Sequence, residues 1–179
     1  SLSTGTTSAG NSGYFLLATG EATSGRGGAI LLSVGSGALH DGGPITLRAG
    51  AALANAASGG SIEIVSGEGS SSDKGNGGDG GQLTMRAGAA RGQASTDSGG
   101  EVVIIGGDAD TGVGGTVTVL SGASADGTSG GMGFYTSDAG TDGVSGNILF
   151  HTGVTTEGTS GSISLSTGTS TDGSGGSVN

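Results

Sequence analysis

The side chains of this chain that could do acid–base, metal or ion-pair chemistry are few and widely separated. Histidine occurs twice, as His40 and His151. Neither has an acidic neighbour at the spacing a general base or an activated nucleophile needs, so both read as solvated surface imidazoles. Arg48 and Arg86 flank Glu63 along the chain, a pattern that fits a structural cross-strand ion pair better than a hydrolytic cleft. Acidic residues recur before glycine at Asp126-Gly127, Asp142-Gly143, Glu157-Gly158 and Asp172-Gly173. Carboxylate oxygens suit calcium, but at these corners they read as solvated groups that stabilise turns. No catalytic residue, cofactor or metal site is assigned, and the chain is not expected to be an enzyme.

The bulk numbers exclude further classes. Five basic against fifteen acidic residues give a formal charge of −10, which opposes a sequence-independent grip on a phosphate backbone, so nucleic acid is not an expected partner. There is no cysteine, hence no disulfide framework and no thiolate metal site. The longest apolar runs, such as Tyr14 to Ala18 and Val102 to Ile105, fall far short of a membrane span. The start, Ser1-Leu2-Ser3-Thr4-Gly5, has neither the basic residues nor the apolar stretch of a secretory signal.

What positions these residues is a repeat. Forty-five glycines, with abundant Ser, Thr and Ala, would signify disorder in the absence of a period, because such a chain buries too little apolar surface to offset ordering entropy. A period is present. Taking Ser162 as position 1, full repeats begin at Tyr14, Ala29, Pro44, Ser61, Gln82, Glu101, Thr116, Gly131, Asn147 and Ser162, and run for fifteen to twenty-one residues. Positions 2 and 4 are apolar throughout, from Phe15/Leu17 and Ile30/Leu32 to Ile148/Phe150 and Ile163/Leu165. Period-two alternation over five residues is the mark of a strand with one face inward. Position 6 is short, position 7 is glycine in all full repeats but the one with Ser137, and position 9 is small. Glycine at position 7 should turn the strand by relieving positive φ, and small residues at position 9 should form a second, thin wall.

A lone five-residue strand is unstable, and connections of this length without a helical pattern stack equivalent strands in parallel. The expected fold is therefore all-β: a parallel β-solenoid, or β-helix, of about 11 coils over residues 1–179, at about 4.8 Å per coil a rod on the order of 50 Å long. Ser1 aligns with position 3, and Ser177-Val178-Asn179 with positions 1 to 3. An uncapped solenoid end is an unpaired sheet edge, so Ser1, Leu2, Val178 and Asn179 are expected to be assembly ends. The chain would then be a section of a longer array, or a filament subunit stacking head to tail.

Val103, Ile105, Leu120, Tyr135 and Leu149 would form an outward apolar patch, and Leu16 with Leu31 a smaller one. A patch of that kind calls for a partner, here a second rod packed laterally. Thr4-Gly5-Thr6, Thr116-Val117-Thr118 and Thr169-Ser170-Thr171 resemble the Thr-x-Thr ladders of ice-binding solenoids, although they fall at different repeat positions. Gly75 to Leu83 resembles the glycine-rich calcium nonapeptide, with a different spacing and a single occurrence.

Segments such as Ser160-Gly161-Ser162-Ile163-Ser164-Leu165-Ser166-Thr167-Gly168-Thr169-Ser170-Thr171-Asp172-Gly173 resemble the Gly/Ser/Thr-rich repeats of large extracellular proteins from algae and other protists. That resemblance covers the whole chain and implies an extracellular or cell-surface structural role, with no functional residues to carry over. The expected function is a self-assembling fibre, its partner being further copies of itself. The alternative is an ice-binding or polysaccharide-binding surface.

Overall fold

The computed structural model describes residues 2–179; Ser1, one of the expected assembly ends, lies outside them. Among the described residues there is no α-helix and no β-strand, only extended chain broken by turns and bends. The parallel β-solenoid, or β-helix, expected from the repeat is therefore not the structure of this chain. The reason lies in where the backbone hydrogen bonds go. A ladder requires each strand to bond its neighbours in the next repeat, yet every backbone–backbone hydrogen bond among the described residues joins two residues of one repeat. Burying an aliphatic side chain gives about 1.5–3 kcal/mol, whereas fixing one residue's backbone costs about 1–2 kcal/mol. Two aliphatic side chains cannot by themselves order a fifteen-residue repeat without that ladder.

The repeat persists as a local closure. In five repeats the last glycine donates its N–H to the carbonyl of the position 7 glycine: Gly60 to Gly50 at 2.9 Å, Gly81 to Gly67 at 2.8 Å, Gly100 to Gly88 at 2.9 Å, Gly115 to Gly107 at 2.7 Å and Gly130 to Gly122 at 2.9 Å. Each such repeat is a loop drawn shut at a neck. The state of the neck follows the residue at position 6. Where it forms, position 6 is Ala49, Ser66, Ala87, Gly106 or Ser121; where it is missing among the described residues, position 6 is Thr19, Val34, Thr136, Thr152 or Thr167. A β-branched side chain puts a methyl where the closing glycine must approach. A Cβ built on Gly28 would lie 3.2 Å from Thr19, on Gly43 2.9 Å from Val34, and on Gly176 3.3 Å from Thr167. Thr19 instead donates its hydroxyl to the Gly28 carbonyl at 3.2 Å.

The glycine requirement thus sits at the closing position. At position 7 a Cβ would meet open space, as at Gly50, Gly88, Gly107 and Gly122, and the positive-φ glycines are Gly10 and Gly158. The expected role of position 7 glycine in relieving positive φ is replaced by that of a hydrogen-bond acceptor at the neck.

No hydrophobic side chain among the described residues is buried. The total surface is 17507 Å², against about 7,500 Å² for a globular chain of this mass and about 24,000 Å² for an unfolded one. Position 2 is still the less exposed column, from 48% at Met132 to 59% at Phe15, while position 4 runs from 59% at Phe134 to 73% at Leu165. Among the described residues, those that reach half-buried status are Gly69 and six at position 6: Ala49, Ser66, Ala87, Gly106, Ser121 and Thr152. What shelter the chain has is at its necks. The chain divides into two units, Ser1–Met85 and Arg86–Asn179.

Candidate functional site

The most elaborate local structure lies in the first unit, in the 21-residue repeat 61–81. Beyond its neck at Gly67 and Gly81, the backbone draws in a second time at Gly69 and Gly78. A Cβ on Gly78 would stand 2.9 Å from the Gly69 carbonyl carbon, and one on Gly69 would collide with Gly78, so neither position admits a side chain. The Gly78 N–H reaches the Ser71 carbonyl at 3.4 Å. The tip between them turns on Asp73, whose Oδ1 accepts the Gly75 N–H at 2.9 Å and the Asn76 N–H at 2.8 Å. These two donors, Asn76 first, hold the Asp73 carboxyl below its ordinary pKa, because they stabilise the charged form. The Ser71 hydroxyl accepts the Asp73 N–H at 3.4 Å.

In four repeats the outer turn is bonded by a hydroxyl at position 9, whereas the 94–97 turn is capped by the Asp97 carboxylate, which accepts the Ala94 N–H at 3.1 Å. Ser124 Oγ accepts the Gly127 N–H at 2.9 Å and Ser170 Oγ accepts the Gly173 N–H at 3.0 Å. Thr155 donates to the Glu157 carbonyl at 3.1 Å, and Thr7 to the Ala9 carbonyl at 2.7 Å. Where position 9 carries a hydroxyl, at Thr7, Ser124, Thr155 and Ser170, that hydroxyl serves a turn instead of lining a second wall. At Asp126-Gly127 and Asp172-Gly173 the corner glycine N–H is held by the position 9 serine, while at Asp142-Gly143 the Gly143 N–H donates to the Gly140 carbonyl at 3.1 Å. Spacing in the repeat register was the signal: a hydroxyl three residues before the corner glycine is the pattern of a side-chain-capped turn.

Among the described residues, two open grooves stand out. One of about 660 Å³ lies within the first unit, against Thr4, Thr6, Thr7 and Asn11. The other, of about 800 Å³, lies in the second unit and gathers Met132, Phe134, Leu165 and Val178 with the hydroxyls of Ser164, Ser166, Thr167 and Ser177. This groove is where residues expected to face inward, from different repeats, do come together. It includes Val178, an expected assembly end.

The remaining sequence-selected residues are dispersed. Arg48 and Glu63 belong to the first unit and Arg86 to the second. His151 has its Nδ1 at 3.4 Å from the Thr152 carbonyl, while His40 is exposed. Val103, Ile105, Leu120, Tyr135 and Leu149 are all exposed in the second unit, as are Leu16 and Leu31 in the first. Leu2, Val178 and Asn179 are exposed too. Among the described residues no three His, Cys, Asp or Glu side chains gather as metal ligands would, and no helix is long and apolar enough to cross a membrane. These features define a glycine-rich repeat polypeptide with locally closed loops. No family model, curated protein or solved structure matches it.

Proposed function

We infer that this chain is a structural polypeptide that associates with further copies of itself, contributing to an extracellular or cell-surface material. One observation carries this reading: the apolar pair at positions 2 and 4 recurs in every full repeat, and none of these side chains is buried within the chain. The free energy of removing them from water, about 25 cal/mol per Å², is left for contacts between molecules. Ten spaced pairs make the chain multivalent, so individually small contacts add through effective concentration. The groove holding Met132, Phe134, Leu165 and Val178 is one place where such contacts would begin. The resemblance to extracellular Gly/Ser/Thr-rich repeats supports the location.

The charge of −10 opposes association at low ionic strength and is screened as salt rises, over a Debye length of about 10 Å at 0.1 M. The test is sedimentation velocity over a concentration series at low and high salt. Association should grow with concentration and with salt, and Phe134→Ser with Phe150→Ser should reduce it. A chain that stays monomeric at high concentration and high salt would overturn the reading.

A further inference from the structure

We propose that Asn76 is a self-modifying site, at which the backbone of Gly77 converts the asparagine side chain to an aspartyl and isoaspartyl pair without an enzyme. The Asp73 turn places Asn76 at the exposed tip of repeat 61–81, with its own N–H tied to Asp73 Oδ1 at 2.8 Å. The turn favours glycine at the next position: a Cβ at Gly77 would lie 3.2 Å from the Asp73 carbonyl oxygen and 3.3 Å from that of Ser71, both tighter than ordinary contact. The steric demand of the turn therefore leaves the nitrogen beside the Asn76 side chain with no substituent to shield it. The Gly77 N–H donates to no acceptor among the described residues, so attack gives up no hydrogen bond of that amide.

The step balances with water as the only co-reactant. Gly77 N, losing its proton, bonds to Asn76 Cγ, and the Cγ–Nδ2 bond breaks to release ammonia, leaving a five-membered succinimide. Water then opens the ring at either carbonyl, giving aspartate or isoaspartate. Each conversion adds one negative charge between Asp73 and Asp79. The isoaspartyl form also lengthens the backbone inside the Gly69–Gly78 constriction. Of the other asparagines followed by a residue, Asn11 precedes Ser12, Asn55 precedes Ala56 and Asn147 precedes Ile148; each neighbour carries a side chain, and that of Ile148 is β-branched.

The test is to age the intact chain in mildly alkaline and mildly acidic buffer, cleave it after Lys and Arg, and separate the peptides by mass and retention. The peptide from Gly75 to Arg86 contains Asn76 as its one asparagine. It should be the first to gain the mass of an amide-to-acid exchange, as two resolved products, faster in the alkaline buffer. Asn76→Gln should abolish the change, and Gly77→Ala should slow it towards the rate at Asn55. Since alanine at 77 also crowds the turn, the Gln variant is the deciding one if the loop opens. Conversion at Asn11, Asn55 or Asn147 ahead of Asn76, or aspartate as the sole product, would overturn the proposal.

Discussion

Exchanging position 6 residues between repeats should exchange the state of their necks. In repeat 82–100 the neck is closed, with Gly100 N–H on Gly88 O at 2.9 Å beside Ala87. In repeat 147–161 it is open, and the Thr152 Cγ2 methyl stands 3.4 Å from where a Gly161 Cβ would be. Thr152→Ala removes that methyl and should let the Gly161 N–H bond the Gly153 carbonyl. Ala87→Thr should break the bond at Gly100. One exposed backbone hydrogen bond is worth about 0.5–1.5 kcal/mol net, and 1.4 kcal/mol is about tenfold in an equilibrium, so the change in amide protection should be severalfold. Both residues lie in the second unit, so each variant serves as the other's control. The assay is amide hydrogen exchange followed by NMR at Gly161 and Gly100. Protection should rise at Gly161 in the first variant and fall at Gly100 in the second. Unchanged exchange at both glycines would refute the claim that the β-branch holds the neck open.

Two further outcomes follow from the turns. The donors that lower the Asp73 pKa make the turn's contribution complete above the ordinary aspartate value of about 3.9, and it drains away as pH falls through the lowered folded value. The Gly75 and Asn76 amide shifts should therefore titrate together with a midpoint below that of ordinary aspartate, and a midpoint at or above it would contradict the hydrogen-bond pattern. Ser124→Ala and Ser170→Ala each delete a turn cap worth about 1 kcal/mol. The temperature coefficients of the Gly127 and Gly173 amides should move to solvent-exposed values in the corresponding variant, leaving the other turn unchanged.

The repeat was legible because each of its signals is local. Apolar residues at positions 2 and 4, glycine at the close and a short residue at position 6 all act over one loop, but of the two columns expected to face inward only position 2 is the less exposed, position 4 overlapping outward Val103 at 60%. The neck was not legible as such. The distinction between Ala87 and Thr152 looks like a neutral choice among small residues until the closing glycine is placed against it. The caps at Ser124 and Ser170 were hidden for a similar reason, since an acidic residue before each corner glycine is itself a common turn former and masks the hydroxyl two places earlier.

Composition, charge and period are properties of the sequence alone, and they determine that this chain is acidic, lacks thiol chemistry and repeats a loop of fifteen to twenty-one residues. Whether those loops stack was decided in three dimensions. Period-two alternation states which side chains could share a face, but a sheet exists only if backbone groups of one repeat meet those of the next. Here the glycine-rich connections close on themselves at short range, where the entropy of loop closure is small, and the partners a ladder would need are not engaged. The aliphatic pairs are left in water, which is why the association of copies, and not an internal core, is where their free energy is to be sought.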